Sequence, residues 1–190
     1  MNKRLLFLDT ETGGTNPQKH SLLSIGIVVW DKDEGILFTD EFFIQNDSYN
    51  VTIEAKRINH FNELEQKEKA IAPIQIVNKL TDIKKTFFSD YDRIPLAGHN
   101  IVFDIQFIKQ LFSSCARSYE KTFSHRSVDT HSIIRFLSDC ELIPNTVSSS
   151  ASAFKYFNVP INGRHTALGD AMATAQLYMS LLSMVSCQKK

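Results

Sequence analysis

The sequence has little cysteine, no excess charge of either sign and no long apolar run, and each shortage closes off a class of protein. Its three cysteines, Cys115, Cys140 and Cys187, are odd in number, widely spaced and without a CxxC pair. That pattern argues against a disulfide framework or a cysteine zinc cluster and fits a reducing, cytoplasmic setting. Lysine plus arginine and aspartate plus glutamate both total 21, so the formal charge is zero. An extended nucleic-acid surface normally shows as a strong basic excess, so any such contact here is expected to be short and local. Lys3 and Arg4 precede an apolar run of only four residues before Asp9. This is well short of a signal-peptide core of about 7 to 15 residues, and no segment approaches the ~20 apolar residues of a membrane span. No membrane association is expected. Repeats and linkers are also missing; "TVSSSASA" is the one mild serine cluster. At 190 residues, 43% hydrophobic and 22% charged, the chain reads as one globular domain over residues 1–190 with a substantial core.

What is present begins with "LLFLDTETGG". Leu5, Leu6, Phe7 and Leu8 show no polar alternation, as in a strand covered on both faces. "HSLLSIGIVVWD" and "GILFTDEFFIQ" read as two further strands, joined through a turn at Asp31 to Gly35, so that three strands form a meander. "DKDEGI" resembles a calcium loop only loosely, because its glycine comes one place early and Phe42 stands where the closing glutamate belongs. From Glu54 the pattern is helical through "EAKRINHFNELEQKEKA". A second helix follows from Pro73, with Ile74, Val77, Leu80, Ile83 and Phe87 at helical spacing. "IPLAGHN" predicts a fourth strand and "HRSVDT" a fifth. Helices are predicted over about Ile101–Ser114, Thr130–Ser138, Val147–Phe157 and Gly169–Met184. The sum is an α/β fold, a mixed five-stranded sheet flanked by helices.

Asp9 and Glu11, two apart on a strand, share one face. Burying two carboxylates side by side is costly, so something positive should meet them. In "AGHNIVFD", Asn100 suits a helix N-cap and puts Asp104 in the first turn, where an acid is also favoured by the helix dipole alone. In "GRHTALGDAMATAQL", His165 precedes an alanine-rich helix slim enough to lie against a sheet. Asp170 shares its inward stripe with Ala173, Thr174 and Leu177. Groups at strand ends and at the starts of the following helices converge on one crevice in such sheets. Asp9, Glu11, Asp104 and Asp170 would there present four negative charges, which two divalent cations balance; hard oxygen ligands select Mg²⁺ or Mn²⁺.

The segments "DTET", "HNIVFD" and "HTALGDA" resemble the exonuclease motifs of the DEDD superfamily, histidine subtype, in the right order from about Leu5 to Leu181. That group includes the proofreading subunit of bacterial DNA polymerase III, RNase T and oligoribonuclease. The resemblance implies a ribonuclease H-like fold and 3′ to 5′ exonuclease activity on single-stranded DNA or RNA ends, or on short oligonucleotides. It makes Asp9, Glu11, Asp104 and Asp170 the metal ligands, with Asp9 bridging two ions, and His165 the general base. It places Thr10, Ile58, Asn59 and Phe103 against the terminal nucleotide, and it allows a DNA polymerase as partner. Arg164, beside His165, is read equally as a phosphate contact or as a solvated arginine. His60 stands where many relatives have glycine.

Duller readings stand beside these. His165 could be a helix-flanking loop histidine, and Phe103 one of fourteen mostly buried phenylalanines. His99 is expected to bond backbone at the end of the fourth strand, and Asp129 to cap the helix from Thr130. His20, His60, His125 and His131 are read as surface or structural. A cysteine hydrolase built on Cys115 and His125 lacks an orienting motif, and a non-catalytic binding subunit of the same fold is the remaining alternative.

Overall fold

Strand β1 (Arg4–Thr12) explains the missing alternation, because Leu6, Phe7 and Leu8 are all buried. The computed structural model describes residues 3–187. In it β1 occupies the centre of a five-stranded sheet with β2 (Leu22–Asp31), β3 (Gly35–Phe43), β4 (Ile94–Gly98) and β5 (Phe123–Asp129), ordered β3-β2-β1-β4-β5. The first three strands are antiparallel, whereas β4 pairs with β1 and β5 with β4 in parallel. Every residue of β2 is buried, as a strand covered on both faces requires.

Alternation along β1 sorts its side chains between two layers. Leu6 and Leu8 pack into the cluster of α3 (Pro73–Phe87) and α4 (Val102–Ser114), built on Ile76, Leu80, Phe107 and Phe112. Phe7 faces the other layer, where Val28, Trp30 and Ala97 meet Ala171 and Ala175 of the long helix α7 (Ala167–Cys187). Beyond α7 lie α5 (Thr130–Asp139) and α6 (Ser150–Tyr156), which close over Ala173, Leu177 and Leu181. Among the described residues no helix is long and apolar enough to cross a membrane.

Several boundaries depart from the sequence reading. The helical stretch from Glu54 is two helices, α1 (Ile53–Ile58) and α2 (Glu63–Lys69). They are broken where His60 adopts φ 51°, a left-handed conformation that glycine takes at least cost. Asn62 restarts the helix by accepting the Leu64 N–H, and the buried Gln66 side chain pins α2 to the sheet edge by donating to the Leu23 and Ile44 carbonyls at 2.7 and 3.2 Å. Helix α6 begins three residues later than expected, because Ser149 caps it and Ser152 bonds back to the Ser149 N–H. Asn100 is not the cap of α4. It turns to φ 60° and donates its N–H to Asp129, so α4 starts at Val102. Cys115 and Cys140 are free thiols; the Cys187 side chain lies outside the described residues.

Strand β2 and helix α7 approach each other closely. A Cβ added to Gly26 would fall 2.1 Å from the Ala167 carbonyl carbon and oxygen. Ala167 and Ala171, four apart on α7, are fully buried there. Gly26→Ala is therefore expected to push α7 off the sheet and to lower unfolding free energy by about 1–3 kcal/mol, read from the urea midpoint.

Candidate active site

Asp9 and Glu11 leave β1 on the face covered by α7, and Asp170 reaches them from the first turn of that helix. All three offer a carboxylate oxygen within 4.8 Å of one another. Burial first, then the charges of Asp104, Asp170 and Glu11, push the Asp9 carboxyl well above the ordinary range. Burial and the Asp170 charge push Glu11 up to about 7. One cation partly answers this charge. Arg164 Nη1 donates to Asp170 Oδ1 at 3.0 Å, its Nη2 donates to Ser150 at 3.2 Å, and its guanidinium lies 5.3 Å over the Phe154 ring. This is where the structure puts Arg164: on the carboxylate, with Ser150 and Phe154 as its holders.

Asp104 stands outside the three-carboxylate group, and the sheet explains why. Helix α4 lies on the opposite face from α7, so Asp104 comes to β1 from behind. Its Oδ1 accepts the Thr10 N–H at 2.9 Å and the Thr10 hydroxyl at 2.6 Å. Burial pushes Asp104 up to about 7 against the lowering effect of these bonds. Thr10 thus spends both donors on Asp104, while Asp104 remains near enough to be the largest charge acting on Asp9.

His165 sits in the left-handed region at φ 64°, a conformation costing roughly 1–3 kcal/mol outside glycine and characteristic of functional sites. It lines a cavity of about 350 Å³ with Glu11, Glu41, Arg164, Phe43 and Phe61. A second cavity of about 380 Å³ on the far side of Asn59 gathers Ile58, Asn59, Phe103, Thr12 and Glu54. Asn59 lines both, and its amide donates to the Thr12 carbonyl at 2.9 Å. Ile58, Asn59 and Phe103 are therefore neighbours in one cavity, and His165 and Arg164 in the other.

Asp129 caps α5 as expected, accepting the His131 N–H at 3.0 Å. His99 bonds the Thr130 hydroxyl at 3.0 Å rather than backbone, and that hydroxyl itself donates to the Gly98 carbonyl. Burial lowers His99 to about 4.

Three residues of the site left no mark on the sequence reading: Gly26, Ser150 and Glu41. Glu41 Oε1 accepts the Leu168 N–H at 3.3 Å, at the start of α7, and burial raises its carboxyl above the ordinary range. A glycine inside a strand pattern is a known mark of close backbone approach and was the one available signal. Glu41 and Ser150 depend on register and on a distant loop.

The three clustered carboxylates supply hard oxygen donors at one point with excess negative charge, so this site fits a divalent cation. Carboxyls whose folded pKa lies above the unfolded value favour folding most when protonated. Their contribution is lost as the pH rises from about 4 through about 7. In EDTA at about pH 8, Asp9→Asn is expected to melt above the wild type, and the gap to narrow at about pH 5. Adding Mn²⁺ at the higher pH should raise the wild-type Tm and leave the variant almost unmoved. Scanning calorimetry reads all three effects.

Comparison with solved structures places this geometry. A structure of exonuclease I, described for how processivity is achieved, superposes with a TM-score of 0.81 at 18% identity, over 96% of this chain and 41% of that one. Escherichia coli exonuclease I in complex with a dT13 oligonucleotide superposes at 0.80 with 17% identity, over 99% and 42%. The chain thus spans less than half the length of these neighbours, and at such identity the likeness is one of fold. It identifies the mixed sheet as the ribonuclease H-like fold of exonucleases. No curated protein matches the chain in sequence. The exonuclease family model, however, matches residues 6–178, nearly the whole chain: this protein belongs to the RNase T family of exonucleases.

Proposed function

We propose that this chain is a divalent-ion-dependent 3′ to 5′ exonuclease of the histidine subtype. It removes nucleoside 5′-monophosphates from single-stranded DNA or RNA ends and from short oligonucleotides. The observation that carries this reading is the meeting of Asp9, Glu11 and Asp170 beside the cavity that His165 lines.

In this reading Asp9, Glu11, Asp104 and Asp170 would hold two ions, Mg²⁺ or Mn²⁺; Asp104, although it reaches β1 from the α4 layer, is the strongest charge acting on Asp9. When bound, such ions neutralise the phosphate and stabilise both the entering and the departing oxygen of an in-line displacement. His165 accepts the proton of the attacking water, the general-base task most often given to an imidazole. A new P–O bond forms to the water oxygen as the bond from phosphorus to the penultimate sugar's O3′ breaks, and that oxygen leaves with a solvent proton. The cavity of Ile58, Asn59 and Phe103 takes the terminal nucleotide, where stacking on the Phe103 ring accepts any base. Arg164, already at Asp170, is placed to share its charge with the phosphate. The dT13 oligonucleotide bound by a neighbour of the same fold supports a single-stranded substrate.

The test is digestion of a single strand labelled at its 5′ end. With Mg²⁺ the strand should shorten stepwise and release mononucleotides, and EDTA should stop it. Internal fragments, or cleavage that survives EDTA or Asp170→Asn, would overturn the reading. His165→Ala is expected to slow turnover by roughly 10²- to 10⁴-fold while calorimetry still finds Mn²⁺ binding.

A further inference from the structure

We infer that Glu41 is a positioning residue for this site, clamping the helix start on which His165 and Asp170 are presented; the inference rests on the exonuclease reading above. The argument begins in the sheet register. Asp9 of β1 pairs with Gly26 of β2, and Gly26 pairs with Glu41 of β3. Directly paired residues share a face, so Asp9, Gly26 and Glu41 form one row pointing toward α7. Gly26, without a side chain, leaves a gap in the middle of that row, and the backbone of Ala167 and Leu168 fills it. The first turn of α7 therefore lies between two carboxylates.

Glu41 uses this position directly. Its Oε1 accepts the Leu168 N–H at 3.3 Å, an amide that has no partner within the helix, and the positive end of the helix dipole favours a carboxylate there. The next free amide, Gly169 N–H, goes to the Thr166 hydroxyl at 3.1 Å, which in turn donates to the Gly163 carbonyl at 2.7 Å. Gly163 to Asp170 is thus one hydrogen-bonded unit, and Glu41 is its tie to the sheet from 127 residues away. His165 lies three residues before Leu168 and Asp170 two residues after it. A shift of the unit would carry both away from Asp9 and Glu11. The Glu41 carboxylate is thus held by the free amide at the helix start, which it in turn fixes to β3.

Two variants and two readouts test this. Glu41→Ala removes the acceptor; Glu41→Gln keeps an oxygen in the same place and drops the charge. Glu41→Ala is expected to lower kcat by about 10- to 100-fold with KM within about twofold, as sub-ångström misplacement of reacting groups does. Glu41→Gln should restore most of the loss. Hydrogen exchange at the Leu168 amide, followed by NMR, should quicken at least about tenfold in Glu41→Ala and return toward wild type in Glu41→Gln. Unchanged Leu168 exchange or unchanged kcat in Glu41→Ala would overturn the inference, as would Glu41→Gln as impaired as Glu41→Ala. An inactive wild type would instead bring down the exonuclease reading, and Leu168 exchange would by itself decide whether Glu41 holds the helix.

Discussion

Repulsion among carboxylates at the end of β1 is the constraint around which this molecule is arranged. Two of them are fixed by the strand, because side chains two apart on an inner strand must emerge on one face. The third is delivered by a helix that can come close only because its contact stripe is alanine and the strand beneath it carries glycine. The burial that shapes the core is thus the same burial that raises Asp9 and Glu11. A protein under selection for stability alone would exchange these acids for apolar residues. Their presence in the centre of the sheet is intelligible as a costly cluster whose charge a divalent cation would offset, a familiar division between stability and activity.

Arg164 meets part of that charge within the chain itself. A guanidinium paired to Asp170 and seated on Phe154 relieves part of the charge felt by Asp9. The pair is partly shielded from water, so it is worth more than a solvated surface bridge. It also connects α6, through Ser150, to the site. A helix that otherwise only closes the second core thereby acquires a stake in the chemistry.

Much of this was legible in the sequence, for reasons that can be stated residue by residue. Leu6 to Leu8 without alternation meant a doubly covered strand, and Asp9 and Glu11 followed from the pleat; these are local periodicities, and burial respected them. The inward stripe read for Asp170 was less exact, because Ala173 and Leu177 face the second core under α5 and α6, while Ala171 and Ala175 meet the sheet. What could not be read was set by contacts between distant segments. That Asp104 reaches β1 from the α4 layer and accepts both donors of Thr10 was not visible in any local pattern. Glu41 is one acid among several on β3 until the register pairs it with Gly26. The break at His60 depends on one backbone angle, which a good helix former on either side conceals.

The route taken by Asp104 has a wider consequence. The two helical layers do not share a core, yet the α4 layer grips the Thr10 backbone between Asp9 and Glu11. Repacking around Phe107 or Ile108 would tilt that grip and so reshape the carboxylate cluster from the opposite layer. Drift in one half of the interior is therefore coupled to the geometry of the acidic cluster on the other, which gives that cluster a second address for tuning.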